Sequence, residues 1–120
     1  MNAEQRTKRE CFLWVCSLAP CALLVTTLTM AIHIRLVLGR WPRFGENYDG
    51  FFFQLHQTVW GVLVLFAASV AGPLWLILSF RSNLPARTKA IHVLAFAFGW
   101  LLIIIGHRFD PTPFTYWLLD

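Results

Sequence analysis

Residues 50–80 read GFFFQLHQTVWGVLVLFAASVAGPLWLILSF, thirty-one positions without an Asp, Glu, Lys or Arg. A helix or strand on the surface of a water-soluble domain carries polar or charged residues on its outer face every few positions. This run leaves no such face. It exceeds the ~20 residues that cross ~30 Å of hydrocarbon and falls short of two crossings with a turn between them. One span is therefore expected, with Gly50 to His56 lying at the interface. Backbone groups inside lipid must be satisfied within the segment, so the span reads as a helix. Strands of a membrane barrel would alternate in hydrophobicity, and Ala22-Leu23-Leu24-Val25 and Leu101-Leu102-Ile103-Ile104-Ile105 do not.

Two further runs, 11–34 and 90–107, are also free of charge. The chain has 120 residues, of which 13% are charged and 58% hydrophobic. An ordinary soluble domain is about 25% charged. These features predict an all-α membrane protein forming one domain over 1–120. Its three transmembrane helices are expected at about 11–37, 56–80 and 90–106, with an aromatic outer loop over 38–55 and a C-terminal interfacial segment. The composition disfavours a soluble globular domain, a disordered tail and a nucleic-acid-binding module. The first span follows a basic start (Arg6, Lys8, Arg9) as a secretion signal would, but it runs on to Ile32. A signal core is 7–15 residues long, so a retained helix is expected.

Local punctuation refines this picture. Pro20 lies inside helix one and Gly72-Pro73 inside helix two, and each is expected to disturb its helix. Cys11, Cys16 and Cys21 are five apart. That spacing is poor for a shared site on a helix, so they read as small apolar packing residues. Ala67, Ala68, Ala71 and Gly72 on helix two, and Ala95 and Gly99 on helix three, place small residues four apart. Such faces let another helix approach closely. Trp41, Phe44, Tyr48, Tyr116 and Trp117 read as interface anchors, and Trp14, Trp75, Phe109 and the Phe51–Phe53 run share their aromatic character. Such rings prefer the headgroup layer. Glu46 and Asp49 share the outer loop with Arg40 and Arg43, and these four are expected to pair and hold its shape.

Three spans put the termini on opposite sides. Six cations (Arg6, Lys8, Arg9, Arg81, Arg87, Lys89) fall on the amino-terminal side and four (Arg35, Arg40, Arg43, Arg108) on the other. Cytoplasmic loops carry the excess of Lys and Arg. The amino terminus is therefore expected in the cytoplasm and the carboxyl terminus in the periplasm. The net charge of +4 then reflects orientation and contact with anionic lipid. A nucleic-acid partner would need a larger basic surface.

Histidine is the most suggestive polar residue. His33, His56 and His107 all lie near the outer ends of their helices, and only His92 lies towards the inner side. Neutral imidazole ligates metals, haem iron and chlorophyll magnesium from neighbouring helices of a bundle. A haem or (bacterio)chlorophyll contact through His33, His56 or His107 is one reading. Histidines near helix ends also commonly bond to water, headgroups or backbone carbonyls, and no cofactor is required by the sequence. Covalent haem has no Cys-x-x-Cys-His to attach to. Acid–base chemistry has little support, because no Asp or Glu lies within a span.

Leu38-Gly39-Arg40-Trp41-Pro42 followed by Phe44-Gly45 resembles a loop of small bacterial multi-pass inner-membrane proteins of uncharacterised activity. It covers about 8 of the 120 residues. The resemblance implies a bacterial inner-membrane protein with this loop outside, and it implies no activity. In size and plainness the chain also resembles accessory subunits of photosynthetic or respiratory complexes. The expected function is accordingly a non-catalytic accessory subunit whose partners are other membrane subunits, lipids and, in a photosynthetic setting, pigments. A histidine-based cofactor subunit and a small transporter or channel oligomer are the alternatives.

Overall fold

The computed structural model describes residues 2–43, 46, 49–112 and 114. Helix α1 spans Ala3–Leu38, α2 Phe51–Leu65, α3 Gly72–Arg81 and α4 Ala86–Arg108. A π-helical stretch, Phe66–Ala71, joins α2 to α3 without a break. The chain is all-α over the described residues, and three helices are long and apolar enough to cross a membrane: Ala3–Leu38, Phe51–Arg81 and Ala86–Arg108. At ~1.5 Å per residue, α1 accounts for the full 53 Å length of the molecule.

Each of the three helices starts several residues earlier than its expected span. Helix α1 begins at Ala3 because its charged first turns support themselves. Glu4 pairs with Lys8 at 2.6 Å and Arg6 with Glu10 at 3.0 Å. The Gln5 side chain accepts from the Asn2 N–H at 3.3 Å. Such pairs four apart each add a few tenths of a kcal/mol to a helix. Helix α2 begins at Phe51, so the three phenylalanines expected in the loop form its first turn instead. Gly39 ends α1 at φ 65°, a left-handed conformation that L side chains rarely adopt.

The π stretch has a physical cause in Gly72-Pro73. Proline lacks the N–H that would bond to the carbonyl of Ser69, and its ring crowds that carbonyl. The ladder widens just before it, and the Gly72 N–H bonds to the Ala67 carbonyl, five residues back. Three threonines of α1 bond back to their own helix: Thr26 to Ala22, Thr27 to Leu23 and Thr29 to Val25, at 2.7–2.9 Å. Their hydroxyls are satisfied without a neighbour.

Helix α1 is the hub. It packs against α2, the π stretch, α3 and α4. At the amino-terminal end, Leu13, Cys16 and Ala19 of α1 meet Ala67, Ala71 and Trp75. At the loop end, Met30, Ala31 and Ile34 meet Phe53 and Phe114. Trp75 is only 4% exposed and stacks on Phe96 of α4, with ring centroids 5.5 Å apart and planes 1° from parallel. It is a core ring and not an interfacial one.

Candidate functional site

The loop end brings two of the three singled-out histidines together. His33 comes from the last third of α1 and His56 from the second turn of α2. Their rings meet edge to face at a centroid distance of 5.6 Å, and Phe52 closes on His33 at 6.2 Å. The Nδ1 atom of His56 is buried without a hydrogen-bond partner. His107 lies elsewhere, exposed at the end of α4, where it lines a groove between α1 and α4. The three imidazoles therefore do not converge. Among the described residues no three His, Cys, Asp or Glu side chains are grouped to hold a metal ion. At 5.6 Å the His33 and His56 rings touch each other, so a flat macrocycle between them requires the rings to separate. Ligation by one imidazole alone asks for no such movement.

The loop between α1 and α2 is clamped by Glu46. Its carboxylate accepts from Arg40 at 2.6 and 3.0 Å and from the Arg43 N–H at 3.0 Å. A two-pronged guanidinium contact of this kind is among the stronger charge-assisted bonds. The bond from Arg40 and the backbone N–H of Arg43 hold the Glu46 carboxyl down at about 2. Arg35 donates to the Gly39 carbonyl and sits 5.9 Å from the ring centre of Trp41. Trp41 in turn meets Phe114 at 6.2 Å. Of the sequence-derived anchors, Trp41 is thus a half-buried ring bracing the loop. Phe44, Tyr48, Tyr116 and Trp117 lie outside the described residues.

The small residues divide by face. Ala67 and Ala71 are buried against α1, whereas Ala68 is exposed. Gly72 faces Phe96, whose Cζ would lie 3.6 Å from an added Cβ. Ala95 is half-buried. Gly99 packs tightly against α1: a Cβ there would lie 2.8 Å from Pro20 Cβ and 3.1 Å from Cys21 Sγ.

A second polar cluster, at the amino-terminal end, is one that sequence reasoning missed. His92 of α4 is 1% exposed and Ser17 of α1 is 0% exposed. Ser17 Oγ lies 2.8 Å from His92 Nδ1 and 2.7 Å from the Leu13 carbonyl. The hydroxyl has one proton. Given to Leu13, it leaves His92 Nδ1 as the donor to Ser17 Oγ and Nε2 as an acceptor. That Nε2 is buried without a partner, and the Trp14 ring lies 4.4 Å from the imidazole. A serine beside a histidine is the start of a nucleophilic pair. Here both side chains are buried, and the bond between them ties α1 to α4. The sequence signal was slight: two polar residues 75 positions apart, each inside a charge-free run.

No family model, curated protein or solved structure matches this chain.

Proposed function

We propose that this chain is a non-catalytic accessory subunit of a larger membrane assembly and that it works by packing. The observation that carries this reading is the free face of α4. Ala90, Leu94, Ala97 and Leu101 are all exposed and recur at spacings of four, three and four. That is the pattern of a seam into which a neighbouring helix interlocks. Lipid tails fill around any apolar side chain, whereas helix contacts favour small residues, and two of these four are alanine. On helix two, Ala68 is exposed as well. A photosynthetic or respiratory setting in a bacterial inner membrane is supported by the type of small subunit the chain resembles. The six-to-four cation count supports a cytoplasmic amino terminus.

The test is extraction of the native membrane in mild detergent followed by native electrophoresis. The chain is expected to migrate in an assembly well above its 13.8 kDa. Ala97→Phe is expected to release it while leaving the bundle folded. Migration of the wild type as a lone monomer would refute the reading.

The His33–His56 contact favours a second reading, a cofactor held by one imidazole at the loop end. The orphaned Nδ1 of His56 is the supporting feature. An absorbance spectrum of the extracted assembly tests it. A haem or chlorophyll band lost in His56→Ala is the expected result, and the same spectrum in both proteins would count against it.

A further inference from the structure

A groove of about 620 Å³ runs along the loop end of the bundle, within the size range of small-molecule sites. Leu23, Leu28 and Ala31 of α1 form one wall and Ile103 and Ile104 of α4 the other, with Trp60 and Phe114 closing it. It lies alongside the two spans Ala3–Leu38 and Ala86–Arg108, at a depth where, in a membrane, the surrounding medium is hydrocarbon. Its hydroxyls are already committed. Thr27 donates to the Leu23 carbonyl at 2.9 Å, and Thr112 donates to Asp110 at 2.6 Å. The walls thus suit a hydrocarbon chain. The mouth differs. Arg35 lies over Trp41, a lining residue, and Arg108 is exposed beside the lining residues His107 and Phe109. Asp110 also lies at the mouth, and it accepts from both the N–H and the hydroxyl of Thr112.

We propose that this groove holds one acyl chain of a phospholipid, with the lipid phosphate at Arg35 and Arg108. The match is of two kinds: an apolar channel for the chain, and Arg35 and Arg108, each four residues beyond a lining residue of its helix (Ala31 and Ile104), for the phosphate. Guanidinium groups suit phosphate geometrically as well as electrostatically.

Gly106 supplies the test. It lines the groove, and an added Cβ there meets nothing within 4 Å. Gly106→Leu therefore fills the channel without straining the bundle. Gly61→Leu is the control, equally open and outside the lining. Ile104→Trp, at an exposed lining position, is a second filler. Protein is purified in mild detergent, exchanged extensively, and assayed for phosphorus and fatty acyl content per chain. Wild type and Gly61→Leu are expected to retain one phospholipid per chain. Gly106→Leu and Ile104→Trp are expected to retain roughly tenfold less, and the double variant Arg35→Gln with Arg108→Gln should retain less than wild type. Absence of bound phospholipid in wild type overturns the proposal, as does equal retention in both fillers. Retention of an apolar lipid without phosphate overturns it too, as does a self-associated dimer that occupies the groove instead.

Discussion

At the scale of single residues, the contacts of α1 with α4 show what holds this small helical bundle together. Helix association in lipid gains little from the hydrophobic effect and depends on close packing and interhelical hydrogen bonds. Gly99 provides the first and the Ser17–His92 bond the second. Gly99→Ala is expected to cost about 1–3 kcal/mol, the usual range for overpacking a tight contact, because the new methyl would lie 2.8 Å from Pro20 Cβ. Gly61→Ala should cost nothing, since its Cβ meets open space and alanine is the better helix former. Thermal unfolding in detergent checks both, and equal effects at the two positions would contradict this account of the α1–α4 contact. Ser17→Ala removes the hydroxyl bonded to His92 and is expected to cost about 1–2 kcal/mol, the range found for interhelical bonds in model peptides. An unchanged midpoint in the same measurement would mean that the bond is not holding the helices.

The elements were legible in the sequence to different degrees. Three helices were readable from three charge-free runs, because lipid leaves the backbone few alternatives. Their ends were not, because charge does not mark where a helix stops. The first turns of α1 are charged and still helical, held by Glu4–Lys8 and Arg6–Glu10. The meeting of His33 and His56 was foreshadowed by their shared depth near one end of neighbouring helices. The Ser17–His92 bond was not, because it depends on how α1 and α4 are rotated about their axes, and no local pattern encodes that. Gly72-Pro73 signalled a disturbance, but the widened turn at Phe66–Ala71 follows from where the ladder relaxes, which only the structure shows.

The loop between α1 and α2 carries its own prediction. Glu46 titrates at about 2 in the folded chain against an ordinary value of about 4.3. A lowered carboxylate contributes fully above its unfolded value, and that contribution fades as pH falls towards the folded one. The clamp on Arg40 and Arg43 should thus hold at neutral pH and down through pH about 4.3, and open as pH approaches 2. The NMR shift of the Arg43 amide, which donates to Glu46, should titrate with a midpoint near 2 and lose that titration in Glu46→Gln. A midpoint near the ordinary carboxylate value would show that the clamp is not formed in solution.

At the scale of the whole molecule, α1 is a hub that buries a larger share of its span than either other helix, and α2 and α4 flank it with their outer faces free. The two ends of the bundle also differ: the amino-terminal end carries residues 2–10 and the α3–α4 connector, and the opposite end carries the clamped loop. The proposed cytoplasmic amino terminus makes a topological prediction. A cysteine introduced by Asn83→Cys, at an exposed position of the connector, should be labelled by a membrane-impermeant maleimide only from the cytoplasmic side, in a background lacking Cys11, Cys16 and Cys21. Labelling from the periplasm would invert the topology.

The claim that this chain works by packing into a larger assembly is tested most directly on the free face of α4, in the native membrane. A photoreactive phenylalanine analogue at Ala97, in the middle of the exposed stripe, samples whatever lies against it there. The account predicts a cross-link to a distinct polypeptide at Ala97, absent when the analogue is placed at Val25, an exposed position of α1 outside that stripe. Lipid adducts alone at both positions would contradict it.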